Sequence, residues 1–272
     1  MNCPKSLSVQ LTVLMVETDG DVTLDGFLDN QIALYQPAKG AHRSGLDALL
    51  LAATVPDGFK GHVVDLGAGC GAAGLSALVR AKRATASLLE KDERALSLLK
   101  RSLQLDCNAG VSRRARVQPF DVFCAPSKRL AAGLPDSCSD WLITNPPYNS
   151  AAFAPSPFQE KAAAHGLHAD GLVEWFRVAI AMLRHGGHLT AILRPDNLVN
   201  LLPLMEGRAG DLRILPLHPK AGEAATRILF GARRGKRAGL TILPGLDLHL
   251  ASGEFCQTVE DALRGRTALS LW

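Results

Sequence analysis

The chain has 272 residues, 47% of them hydrophobic, enough for one good-sized core: a single α/β domain with an added element, or two small domains. A formal net charge of +4 permits a polyanionic partner without requiring one, and it excludes the strongly basic, histone-like class of binder. No apolar run is long enough to span a bilayer, so no membrane partner is expected. The six cysteines (Cys3, Cys70, Cys107, Cys124, Cys138 and Cys256) form no C-x-x-C pair and have no histidine at zinc spacing. They read as reduced thiols of a cytoplasmic protein, with neither a disulfide nor a metal site.

The first apolar stretch, Leu7 to Val16, follows Lys5 but is interrupted by Gln10 and Thr12. Glu17 and Asp19 follow it where a leader would have small residues, so it reads as an N-terminal extension or a short strand. Val22 to Leu24 and Ile32 to Tyr35 alternate around Asp25-Gly26 and Asp29-Asn30, the pattern of a short hairpin. Ser44 or Asp47 is placed to cap a helix over Ala48 to Ala53, with Pro56 just past its end. Strands and helices then alternate. Strands are expected at Val63–Leu66, Ala86–Glu90, Ala115–Phe120, Trp141–Thr144 and His188–Leu193, and helices at Ala72–Arg83, Asp92–Leu105, Leu172–Leu183 and Asn197–Met205. Leu212–Leu217 and Arg227–Ala232 follow without a helix-length connection and read as antiparallel neighbours. The sum is a doubly wound, seven-stranded, mostly parallel sheet whose last strand runs antiparallel. Residues 1–55 are expected to form an extension, hairpin and helix packing on a core domain of residues 56–272.

Val63-Val64-Asp65-Leu66-Gly67-Ala68-Gly69-Cys70-Gly71 is a strand, a glycine turn and the opening of a helix. Glycines let the chain turn sharply and let a cofactor approach closely. A dinucleotide enzyme would set a pyrophosphate on the helix start, but Asp65 would repel it. A carboxylate there suits the cationic amino end of S-adenosylmethionine. Glu90, ending the second sheet strand, is placed to accept both ribose hydroxyls, with Lys91 beside it. Asp121, followed by Val122, is placed to meet the adenine amino group after the third strand; a helix cap or a solvated loop acid is the alternative.

Asn145-Pro146-Pro147-Tyr148 directly follows an apolar strand. In a doubly wound sheet, ligands bind beyond the carboxyl ends of the strands. The exocyclic nitrogen of a base or an amide is a poor nucleophile, because its lone pair is spread into the π system. Accepting both of its N–H bonds draws it toward tetrahedral geometry and restores that lone pair. The Asn145 side-chain oxygen and the Pro146 carbonyl are the two acceptors, two prolines fix the carbonyl's direction, and Tyr148 offers a stacking face. Catalysis is then positioning plus hydrogen bonding, and no strong base is needed.

Together these motifs resemble the Rossmann-like class I methyltransferases that methylate amino groups: adenine N6, guanine N2 and glutamine side chains. Within that group the chain, from about residue 20 onward, is most similar to the family that methylates N6 of the adenosine next to the anticodon of a valine tRNA. His42-Arg43-Ser44-Gly45-Leu46-Asp47 resembles that family's segment closing over the cofactor, which implies a donor contact for Arg43. Leu217-His218-Pro219-Lys220, Thr226-Arg227-Ile228-Leu229 and Leu243-Pro244-Gly245-Leu246 support the same likeness. The chain departs from it after Tyr148, where Asn149-Ser150-Ala151-Ala152 stands in place of a bulkier aromatic. The resemblance implies a transferase acting on tRNA with S-adenosylmethionine as cofactor; a glutamine or rRNA guanine-N2 acceptor is the alternative. A third reading, a non-catalytic donor-binding subunit, has no use for an intact Asn145-Pro146-Pro147-Tyr148.

Arg233-Arg234-Gly235-Lys236-Arg237 is the densest cationic run and a candidate phosphate contact, near the carboxyl edge or on a protruding hairpin. Arg113-Arg114-Ala115-Arg116 reads as a solvated run at the opposite end from the site. In the long segment Phe153 to Asp170, Lys161 and His165 are candidate substrate contacts. The anticodon loop of a tRNA is already single-stranded, so its base enters a pocket at small flipping cost. Monomer and homodimer both remain open.

Overall fold

The structure is a computed structural model, and it describes residues 21–38, 45–147 and 169–272. Arg43, Ser44, Tyr148, Lys161 and His165 lie outside these described residues.

Strands β1 (Val22–Phe27) and β2 (Ile32–Pro37) form the expected antiparallel hairpin. Its turn takes Leu28, Asp29 and Asn30 through the left-handed region, with φ of 54°, 56° and 62°. Asp and Asn tolerate that conformation; Leu28 is kept there by burial of its side chain. Helix α1 (Leu46–Ala52) begins at Gly45 without a side-chain cap. Asp47 therefore does not cap it: its carboxylate accepts a hydrogen bond from Arg227 Nε at 3.2 Å.

The chain then builds β3 (His62–Leu66), α2 (Ala72–Arg80), β4 (Thr85–Glu90), α3 (Glu93–Ser102), α4 (Ala109–Ser112), β5 (Ala115–Pro119), α5 (Pro126–Ala131) and β6 (Ser139–Thr144). After residue 168 come α6 (Ala169–Met182), β7 (Leu183–Leu193), α7 (Leu198–Met205), β8 (Ala209–Lys220) and β9 (Arg227–Arg234). The chain ends with β10 (Leu240–Ile242), β11 (Leu246–His249) and α8 (Gln257–Leu263). Asp92 caps α3 by accepting the Ala95 N–H at 2.7 Å. β7 starts five residues before the expected His188, running straight on from α6 through a register shift against β6.

The sheet order is β10-β8-β9-β7-β6-β3-β4-β5, with β11 also pairing with β8. β9 is antiparallel to both neighbours, and the other pairings are parallel. Among the described residues the sheet thus has nine strands rather than seven. The added pair, β10 and β11, lies end to end along the 12-residue β8. Leu50, Leu75, Leu78 and Leu263 of α1, α2 and α8 pack on one face together with Leu34 of the hairpin. Phe176, Ile180 and Leu201 of α6 and α7 cover the other. Among the described residues no helix is long and apolar enough to cross a membrane.

Asn108, fully buried, fastens the hairpin to this body. Its Oδ1 accepts the Ala33 N–H at 3.0 Å, while its Nδ2 donates to the carbonyls of Ala33 and Ser102, both at 2.7 Å. Ser102 Oγ accepts the Tyr35 N–H at 2.9 Å, so this edge of β2 is held by side chains. Asn108→Ala strands these groups and is expected to cost about 2–4 kcal/mol in urea unfolding. A loss below about 1 kcal/mol would show that apolar packing alone holds the hairpin.

Candidate active site

The site is assembled at the carboxyl ends of β6, β3, β4 and β5. Registers pair Leu66 with Thr144 and Leu89 with Gln118, so Asn145, the glycine turn, Glu90 and Asp121 leave the sheet side by side. The turn is tied to β4 by the Gly67 and Ala68 N–H groups, which both donate to the Leu89 carbonyl at 2.9 Å. Gly71 donates to Ala68 O at 2.8 Å and leads into α2.

Two glycines are needed for different reasons. Gly67 has φ +76°, and a Cβ there would sit 2.8 Å from Trp175 Cζ2 of α6. Gly69 has φ +55°, and a Cβ there would meet nothing within 4 Å. A ligand can therefore lie against the backbone of Gly69, while Gly67 is closed from beneath by an indole.

The carboxylates are already engaged. Asp65 is buried, and its Oδ2 accepts the Gly74 N–H at 2.8 Å. Burial raises its pKa to about 7; the Gly74 hydrogen bond pulls the other way, and the Glu90 charge adds to the rise. Glu90 Oε2 accepts from Gly69 N at 2.8 Å, and its Oε1 accepts from Lys91 N and Asp92 N at 2.7 and 2.8 Å. It thus braces the glycine turn against the next helix, with about one of its four lone-pair directions left over. Asp121 is exposed and accepts the Phe123 N–H at 3.0 Å, and it caps no helix, since α5 follows Ala125 without a side-chain cap; Val122 is buried. Cys70 is buried, and its thiol is pushed up to about 11, so it is no nucleophile at neutral pH.

Asn145 is held through its predecessor. Thr144 Oγ1 donates to the Leu66 carbonyl at 2.7 Å and accepts from Trp175 Nε1 at 3.0 Å. Asn145 Oδ1 is buried and has no hydrogen-bond partner among the described residues. Such an acceptor costs about 1–3 kcal/mol and calls for an explanation. Pro146 is buried and Pro147 exposed.

Two aromatics belong to this site that the sequence analysis did not single out. Phe123 is 43% exposed beyond β5, edge-on to Trp175 at 6.4 Å between ring centroids, with Lys91 Nζ 6.0 Å from its ring centre. Trp175 itself looks like one more core residue of an apolar helix. A second buried unpartnered oxygen, Asn197 Oδ1, follows the end of β7, next to β6. The run Arg233 to Arg237, in contrast, is not at the carboxyl edge. Arg233 pairs in register with His188, which lies opposite Trp141 near the start of β6, because β9 runs backward. Arg233 bonds Asp211 at 3.4 Å, and Arg234 donates to Ala181 O at 2.9 Å, to Ser137 Oγ at 3.0 Å and to Leu183 O. Lys236 and Arg237 are exposed at the same end.

An open glycine turn between strand-end carboxylates, on a doubly wound sheet with one reversed strand, defines a Rossmann-like methyltransferase. The family model of the methyltransferase small domain matches residues 44–202. A predicted O-methyltransferase from Agrobacterium tumefaciens is 35% identical, with a TM-score of 0.71 over 82% of this chain and 98% of that one. The TYW2 of Pyrococcus horikoshii, solved with MeSAdo, is 13% identical, with a TM-score of 0.52 over 80% of this chain and 73% of that one. The TYW2 of M. jannaschii, solved with AdoMet, is 11% identical, with a TM-score of 0.53 over 82% and 90%. These last two share the fold alone. No curated protein matches the chain. The chain belongs to the methyltransferase small domain family and is an S-adenosylmethionine-dependent methyltransferase.

The Asp65 shift fixes a pH dependence. Its folded-state pKa lies above the unfolded value of 3.8, so the stability gained from its proton is full below pH 3.8 and lost as pH rises through about 7. Asp65→Asn keeps an acceptor for Gly74 but cannot ionise. Measured by urea unfolding, the variant should gain on the wild type as pH rises from 4 to 8, by on the order of 4 kcal/mol. A pH-independent difference would contradict a proton-holding Asp65.

Proposed function

We propose that this methyltransferase methylates a planar exocyclic nitrogen, with adenine N6 of a tRNA anticodon loop as its target. The observation that carries this reading is the buried Oδ1 of Asn145, unpartnered among the described residues and beside the glycine turn. A substrate N–H satisfies it. The Pro146 carbonyl takes the second N–H, and the nitrogen lone pair is then free to react. Tyr148 supplies the stacking face.

The residues present suit S-adenosylmethionine. Asp65 holds its cationic amino end, Glu90 and Lys91 flank the ribose, Gly69 leaves room for its chain, and Gly67, Ala68 and Gly71 shape the turn beside it. Asp121 and Val122 meet the adenine, Phe123 gives that ring an exposed aromatic wall, and Arg43 closes over the donor. Bound there, S-adenosylmethionine supplies a methyl group on a positively charged sulfur. The carboxamide of Asn145 can orient an N–H but cannot take a proton from a hydroxyl, which is why nitrogen is favoured over oxygen. The Agrobacterium relative is described as a predicted O-methyltransferase, and a hydroxyl acceptor is accordingly the second reading.

RNA as the substrate is supported by the likeness of Asn145-Pro146-Pro147-Tyr148 and its surroundings to the tRNA adenine-methylating family, and by the net charge of +4. The deciding experiment offers the protein labelled donor together with separated tRNA, rRNA and protein fractions, followed by nucleoside mass spectrometry. N6-methyladenosine in tRNA is the expected product. Label found only in protein, or a 2′-O-methylated nucleoside, would rule this reading out.

A further inference from the structure

We infer that the cavity at the amino-terminal edge of the sheet, opposite the methyl-transfer site, is a phosphate site that takes a backbone phosphodiester of the RNA substrate. This rests on the reading of the substrate as RNA. The cavity measures about 460 Å³ and opens where β3, β4 and β5 begin. Arg113, Arg116 and Arg184 line it, together with His62, Thr85 and Ser87, and no carboxylate is among its lining residues.

The cations here are not equivalent. Arg114 donates to the carbonyls of Leu78, Ala81 and Ala84 at 2.7–3.0 Å and serves the fold. Arg184 pairs with Asp140 at 2.6 Å, and the other oxygen of Asp140 accepts the His62 N–H at 2.7 Å, so this nearby carboxylate is spent. Arg113 and Arg116 are exposed and make no ion pair among the described residues. Between them and the sheet, His62 bonds Thr85 Oγ1 at 2.8 Å and Ser87 Oγ at 3.0 Å, and Ser87 is 5% exposed. Two uncompensated guanidiniums over a row of hydroxyls and an imidazole are the chemistry of phosphate capture.

The wider edge agrees. Lys60, Lys82 and Arg83 are exposed just ahead of β3 and β4, and Lys236 and Arg237 stand exposed past the end of β9. The carboxyl edge is mixed, with Lys91, Arg94 and Arg194 among Glu90, Asp92, Glu93, Asp121 and Asp196. A polyanion meets the exposed cations of the cavity at the edge remote from the chemistry. The strands between the two edges are roughly 17–20 Å long. A mononucleotide cannot bridge that span, whereas a folded RNA can place one base in the site and a phosphate on the far edge. The arginines read from sequence as a solvated run at this end in fact border a cavity.

The test uses the full chain and Arg113→Glu/Arg116→Glu, with Lys100→Glu on the exposed surface of α3 as a charge control. RNA binding is followed by fluorescence anisotropy against salt, and methylation by initial rates. We expect the double variant to bind RNA at least tenfold more weakly. Its log K–log salt slope should flatten by about 2, with donor affinity and kcat at saturating RNA unchanged. Arg113→Lys/Arg116→Lys should restore most of the affinity, and Lys100→Glu should stay within twofold of wild type. A double variant with wild-type RNA affinity and slope, on a wild type that methylates RNA, overturns the site and leaves the substrate reading standing. A wild type that methylates no RNA overturns the substrate reading itself. Inorganic pyrophosphate separates the sources. If the double variant loses pyrophosphate binding but not RNA binding, the cavity serves a free nucleotide and the RNA assignment falls.

Discussion

One hydroxyl sets the geometry on which the rest depends. Thr144 Oγ1 donates to the Leu66 carbonyl and accepts from the Trp175 indole, joining the ends of β6 and β3 to the helix beneath them. Leu66 precedes the glycine turn and Thr144 precedes Asn145, so the cofactor loop and the candidate acceptor are fixed to each other within one residue of the bond. All three side chains in this chain of contacts are buried, where each group left unpaired costs about 1–3 kcal/mol. The same indole sits where a Cβ at Gly67 would be. The smallness of Gly67 and the size of Trp175 are thus one constraint, met from two distant parts of the chain.

Charge is distributed along the same axis. The carboxyl edge carries Glu90 and Asp121, with Asp65 buried behind them and its pKa raised to about 7. The amino-terminal edge carries Lys60, Lys82, Arg83, Arg113 and Arg116, all exposed. The same axis places the antiparallel β9 in context. Because β9 returns toward the amino-terminal edge, Arg233 and Arg234 finish among Asp211 and the backbone carbonyls of residues 181 and 183 rather than beside the site.

Much of this was legible in the sequence. The short apolar strands and the helix periods of α2 and α3 are local patterns, and the glycine turn announces itself through Asp65 and its glycines. What sequence reading missed is non-local. Asp47 looks like a cap until Arg227, 180 residues away, comes within reach of it. Trp175 looks like core until Gly67 and Thr144 close on it. β10 and β11 are three and four residues long, too short for a hydrophobic period to mark them, and β10 is exposed throughout; only the length of β8 provides their partner. Arg113 to Arg116 and Arg233 to Arg237 are equally visible as charge. Which of them faces a cavity depends on strand direction and on what each guanidinium bonds.

The account turns on Asn145 acting as an N–H acceptor for the substrate, and Asn145→Ala tests this most directly. Donor affinity by calorimetry and single-turnover methyl transfer should be measured on the same preparation. The account predicts unchanged donor affinity and transfer slowed a hundredfold or more, about 2.7 kcal/mol or more of lost transition-state stabilisation. Transfer at the wild-type rate would contradict it.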